Sequence, residues 1–191
     1  MQWKNTQTRY GMVAILLHWI VALTVIGLAI LGLWMVGLSY YSPYYRVGPF
    51  WHKSIGIALF AVLVLRLLWR WLTPRPAHLP NHKRWELGLA GATHLLLYLL
   101  LFVILISGYL ISTATGQGIS VFGWFEVPAL ITGLPSQADR AGLVHYWAAM
   151  GVLGLAALHA LGALKHHVID RDDTLRRMLG MRPRQSIGKT E

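Results

Sequence analysis

Five of the nine histidines lie in or at the edges of apolar segments: His18, His52, His94, His145 and His159. A neutral imidazole is a nitrogen ligand for metals and haem iron and also a proton carrier, so the set points to metal, haem or proton chemistry. His145 and His159 share one run, LVHYWAAMGVLGLAALHALGALK, in which no residue from Ala141 to Leu164 is charged. On an α-helix 14 residues advance about 1,400°, roughly 40° short of four turns, and rise about 21 Å. Both imidazoles then leave nearly the same face of one helix at two depths. That spacing suits two stacked cofactors, each taking one ligand from this helix.

The elements that must position these histidines are membrane spans. The 191 residues are 55% hydrophobic and only 13% charged, against about 25% charged in soluble domains. Charge-free runs over Tyr10–Tyr45, Leu87–Phe125 and Ala141–Leu164 each exceed the roughly 20 residues needed to cross a bilayer. A fourth run, 50–72, carries Lys53, Arg66 and Arg70. The expected fold is an all-α membrane protein, a bundle of four transmembrane helices at about 12–37, 50–72, 87–112 and 143–168. Pro43 and Pro49 are expected to break the chain before the second span. The aromatic loop segment ISVFGWFEVPALI, within 113–142, is expected to lie in the outer interface, and a basic, mobile tail is expected over 179–191.

The formal charge of +10 does not argue for nucleic acid, because the basic residues flank apolar runs instead of forming one soluble patch. Lys4, Arg9, Arg66, Arg70, Arg75, Lys83, Arg84 and Lys165 onward mark one side, and only Arg46, Lys53 and Arg140 the other. Cytoplasmic ends carry the excess of Lys and Arg, so both termini are expected in the cytoplasm. There is no cysteine, which excludes disulfides, thiolate iron–sulfur sites and covalent c-type haem. The first apolar run is too long for the core of a cleavable signal peptide and is expected to remain as a span.

By depth, His18, His94 and His159 fall on the cytoplasmic half and His52 and His145 on the outer half. Two axial imidazoles complete a six-coordinate haem iron, so the outer level offers one pair and the inner level three candidates. Metal ions without porphyrin fit less well, because the spans hold no carboxylate to complete such a site. Proton-relay or purely structural histidines are the remaining reading. Arg66 and Lys53 are candidates for pairing haem propionates, and Arg70 is expected to be solvated. His166 and His167 follow Lys165; they are either interfacial, partly solvated histidines or contacts for a propionate or quinone. His78 and His82, in the basic loop, are expected to be solvated. Gly56, one turn after His52, either lets a porphyrin approach or packs another helix.

The pieces RYG, LLHW, WHKSIG, RLLWR, THLLLYLLLF, ISGYLIST, VHYW, LHALGALKHH and DDTLRRM, in this order, resemble the bacterial cytochrome b-561 family. These are four-helix, di-haem membrane proteins related to the cytochrome b subunits of nickel–iron hydrogenases. The resemblance covers one domain over residues 8–178. It implies two non-covalent b-type haems, the inner held by His18 and His159 and the outer by His52 and His145. His94 is then left to a place behind a ligand, in a quinone pocket, or to a structural hydrogen bond. The implied function is one-electron transfer across a bacterial inner membrane, between ubiquinone and a periplasmic donor or acceptor such as superoxide, a small reductant or a redox protein. The rivals are a haem-bearing anchor subunit of a larger redox enzyme and a proton-relay transporter. The transporter would be expected to carry acidic relay partners within its spans, and these spans have none.

Overall fold

The computed structural model describes residues 2–79 and 82–181. Four long helices dominate: α1 (Met12–Val36), α2 (Val47–Leu72), α3 (Arg84–Thr113) and α4 (Gln137–Val168), with a short α5 (Thr174–Met178) after them. All four are long and apolar enough to cross a membrane. Their outward side chains, among them Leu23, Ile30, Leu65, Leu95 and Leu161, are exposed hydrophobics, as a lipid-facing surface requires. The chain is a multi-pass, four-helix membrane protein. The basic tail expected from 179 lies outside the described residues beyond Met181.

Three boundaries differ from the sequence expectation. Pro49 does not precede α2 but sits in its first turn, where its missing N–H deprives the helix of no bond. α3 starts early because Glu86 accepts the Lys83 N–H at 3.0 Å, a first-turn carboxylate satisfying a free donor. α4 begins at Gln137, whose buried amide donates to the carbonyls of Leu110 and Ile131 at 2.9 and 3.1 Å.

The helices associate as two antiparallel hairpins, α1 with α2 and α3 with α4, and the hairpins touch each other less closely. Residues 2–11, the described residues between α2 and α3 and residues 169–181 gather at one end, called here the inner end. There Asn5 donates to Thr73 Oγ1 at 3.1 Å and Arg177 to the Ala77 carbonyl at 2.7 Å. At the outer end, strands β1 (Ile119–Val121) and β2 (Phe125–Val127) pair antiparallel, so part of the long loop is a hairpin. Fully buried Ser54 on α2 holds it by accepting the Phe122 N–H at 3.0 Å and donating to the Ser120 carbonyl at 3.3 Å. The buried core, Val21, Leu59, Leu63, Leu101 and Val152, lies at mid-length of the bundle.

Candidate functional site

Each histidine level takes two rings across the cleft between the hairpins and backs them with the other two helices. At the inner level His18 on α1 faces His159 on α4, with ring centroids 6.2 Å apart and planes at 63°. At the outer level His52 on α2 faces His145 on α4, at 6.2 Å and 64°. An imidazole nitrogen binds a metal at about 2.0–2.1 Å, and half a ring adds about another ångström, so two imidazoles on opposite sides of one ion stand roughly 6 Å apart. Both pairs meet that requirement. His94 on α3 comes within 5.2 Å of His159, about an ångström closer than such a pair and against the back of the inner cluster.

The rings are oriented by different means. At His145 the Ile104 carbonyl lies 2.9 Å from Nδ1 and Ser107 Oγ 3.3 Å. A carbonyl only accepts, so Nδ1 carries the proton and Nε2 keeps its lone pair free, the arrangement that prepares a metal-binding histidine. At His18 the partner of Nδ1 is Arg66 Nη2, 2.9 Å away, and a guanidinium only donates. Neutral His18 then carries its proton on Nε2, and that proton must leave, or the Arg66 contact must be exchanged, before Nε2 can bind a metal. The Arg66 guanidinium also stands 5.3 Å from the Tyr98 ring centroid, and Arg70 5.6 Å from the same ring, both within cation–π range. Arg70 is therefore not simply solvated.

Glycines complete the outer level. A Cβ added at Gly108 on α3 would stand 3.1 Å from His145 Cε1, and one at Gly32 on α1 would stand 3.2 Å from His52 Cε1. Each glycine lets an imidazole lie against the neighbouring helix. The buried His52 Nδ1 has no hydrogen-bond partner, which tells against a histidine kept only for a helix–helix hydrogen bond. A side chain at Gly56 would meet nothing within 4 Å, so no helix packs there and room remains one turn from His52. A groove of about 470 Å³ is lined by Leu100, Leu143, Val144, Trp147 and Ala148. A second, of about 410 Å³, runs along Leu23, Thr24, Gly27, Leu28, Leu31 and Ile55. Imidazoles opposed at the spacing of a shared metal, with the Ile104 carbonyl leaving His145 Nε2 free, fit a porphyrin iron held without a covalent link.

The other sequence candidates fall outside these pairs. Lys53 follows His52 on α2 and is half-buried. His166 and His167 end α4, and His166 faces Asp170 and Asp172 at 2.8 and 2.9 Å. His82 is not a solvated loop residue: its side chain is 14% exposed and lies 3.2 Å from Asp172. Trp19 donates from Nε1 to the Met178 carbonyl at 3.0 Å and meets His18 edge to face. Sequence reasoning missed Gly32, Gly108 and Ser107. The one available signal was the place of Ser107 and Gly108 in ISGYLIST, where small residues interrupt an otherwise bulky run.

A family model described as prokaryotic cytochrome b561 matches residues 9–181. The chain is 54% identical over 180 residues to cytochrome b561 homolog 2 of Escherichia coli (strain K12), covering 94% of this chain and 96% of that one. It is 31% identical over 173 residues to a protein of Yersinia pestis named probable superoxide oxidase CybB, covering 90% and 96%. Cytochrome b561 homolog 1 of Escherichia coli (strain K12) is 28% identical over 178 residues, covering 91% and 98%. With four spanning helices, histidines opposed across their cleft and a match along nearly its whole length, the chain belongs to the prokaryotic cytochrome b561 family of membrane electron-transfer cytochromes, whose cofactor is b-type haem.

Proposed function

We propose that the protein carries single electrons across a bacterial inner membrane through two b-type haems. His18 and His159 hold the inner one, and His52 and His145 the outer. The observation that supports this most is the equality of the two pairs, both 6.2 Å apart and both crossing the cleft. The basic residues at the inner end support a cytoplasmic location for residues 2–11 and 169–181. Residues 8–178 act as one di-haem domain.

When bound, haem supplies one-electron redox chemistry. The protein's part would be to give each haem iron two imidazoles, His18 with His159 and His52 with His145, a ligand set that favours electron transfer over oxygen binding. Gly32, Gly108 and the Ile104 carbonyl set the ring orientations at the outer level. Arg66 puts a positive charge beside the inner ligand, favouring the reduced state there, and is the candidate partner of a propionate; Lys53 has the corresponding place beside His52. Ubiquinone is assigned to the inner end, where His94 lies behind His159 and His166 and His167 close α4. Superoxide is the favoured outer donor, because one relative is named a probable superoxide oxidase.

The test is a pyridine haemochrome assay with reduced-minus-oxidised spectra on purified protein. Two protohaems per chain are expected. Single His→Ala changes at His18 or His159 should remove one, and at His52 or His145 the other, whereas His94→Ala should retain both. Full haem content in His159→Ala would overturn the inner assignment. Reduction by a quinol analogue should slow in His94→Ala if that residue lines the quinone site.

A further inference from the structure

A group of titratable side chains at the inner end takes no part in the haem levels. His82 comes from the α2–α3 loop, His166 from the last turn of α4, and Asp172 from the segment after it. His82 Nε2 and His166 Nδ1 approach the same Asp172 oxygen, Oδ2, at 3.2 and 2.9 Å. The two rings stand 4.8 Å apart, and one ligand atom from each of the three residues lies within 4.8 Å of the other two. The Asp172 side chain is 6% exposed, and those of His82 and His166 are 14% and 16% exposed.

The surroundings hold these atoms in place. The other Asp172 oxygen, Oδ1, accepts the Thr174 N–H at 2.8 Å, which turns Oδ2 toward the imidazoles. Thr174 Oγ1 lies 3.2 Å from His82 Nε2. Lys165, next to His166 in the chain, is taken up by Glu86 and Asp170 at 2.7 and 2.6 Å. Asp170 also approaches His166 Nδ1 at 2.8 Å from a second, overlapping group that includes Glu86.

Two imidazoles and one carboxylate bind zinc-class ions at about 2.0–2.2 Å, which separates ligand atoms around one tetrahedral ion by roughly 3.0–3.5 Å. The distances of 3.2 and 2.9 Å are close to that. Calcium and magnesium prefer all-oxygen shells, so this donor set selects a transition metal. We propose that His82, His166 and Asp172 form a binding site for one divalent transition-metal ion, with zinc as the probe. The ion would tie the α2–α3 loop to the end of α4 on the face beside the inner histidines.

The test uses haem-loaded full-length protein without a polyhistidine tag, equilibrated with micromolar zinc, desalted and measured by elemental mass spectrometry, with haem iron counted separately. One zinc per chain is expected in the parent protein. His82→Ala and Asp172→Asn should weaken binding at least as much as the roughly 10–100-fold loss caused by removing a group that only supports a ligand. His78→Ala should bind normally, and unchanged haem spectra would confirm that the variants fold. Zinc that remains bound in both His82→Ala and Asp172→Asn, or parent protein that binds no more than these variants, would show a hydrogen-bonded cluster instead of a metal site.

Discussion

The outer histidines are backed by two glycines and a peptide carbonyl, the inner ones by a guanidinium and a third imidazole. Both levels present the same ring separation, so separation alone does not distinguish their electronic settings. The outer level is organised by close packing and a fixed tautomer. The inner level is organised by charge, with Arg66 in contact with His18 and both arginines over Tyr98. One fold thus holds two similar histidine pairs in unlike fields; if each pair holds a haem as proposed, such fields would separate the potentials of two chemically identical cofactors.

The sharpest way to break this comparison is at the glycines. Gly108→Leu drives a side chain into His145 at a site already within 3.1 Å of a bare Cβ. Overpacking of roughly 1–3 kcal/mol should cut retention of the outer haem by about tenfold or more and leave the inner haem in place. Equal loss of both haems would show that the glycine serves the whole bundle and not one level.

Next in size is the charge at the inner level. Reduction adds an electron, so a nearby positive charge raises the potential and its removal lowers it. Arg66→Leu should lower the inner potential by an amount on the order of 60 mV, a tenfold change for a one-electron couple, and leave the outer potential unchanged. Arg66→Lys should fall between the two. Redox titration followed optically gives the result, with the component missing from His159→Ala identifying the inner haem. A rise, or an equal shift at both levels, would contradict the division of labour.

The smallest effect is expected at Ser107→Ala. Ser107 Oγ lies 3.3 Å from His145 Nδ1 but also donates to the Val103 and Ile104 carbonyls of its own helix. The shorter contact to the Ile104 carbonyl survives the change. Haem content should be unchanged, and the shift in outer potential should be smaller than that of Arg66→Leu. A larger shift would make the hydroxyl, not the carbonyl, the group that orients the ring.

The spans and the two depths of His145 and His159 were legible in the sequence because both follow from the pattern within one helix. Charge-free length marks a span, and a 14-residue interval sets a face and two depths. The supports were not legible, because they depend on contacts between helices. Nothing local distinguishes Gly32 from the other glycines, and Ser107–Gly108 shows only as a small pair in a bulky run; the role of both glycines comes from an imidazole on a neighbouring helix. His82 reads as a solvated loop residue until the chain brings it to Asp172, 90 positions later. Pro49 reads as a breaker because only its place within the first turn makes it harmless, and helix boundaries are set by such capping details. The choice among three inner histidines likewise stays open on depth alone; the 6.2 and 5.2 Å separations favour His18 over His94 as the partner of His159.

The layer between the two histidine levels has an electrical consequence. Val21, Leu59, Leu63, Leu101 and Val152 have no polar side-chain atom, and Val152 lies seven residues from both His145 and His159. These five side chains themselves offer a proton no hydrogen-bonding group. An electron passing between the levels would therefore move charge without a compensating proton. A full crossing would work with or against the membrane voltage by about 2.3 kcal/mol per 100 mV. Turnover of the reconstituted protein would then depend on the voltage across its membrane, and the hydrocarbon layer would act as the insulation of a molecular wire.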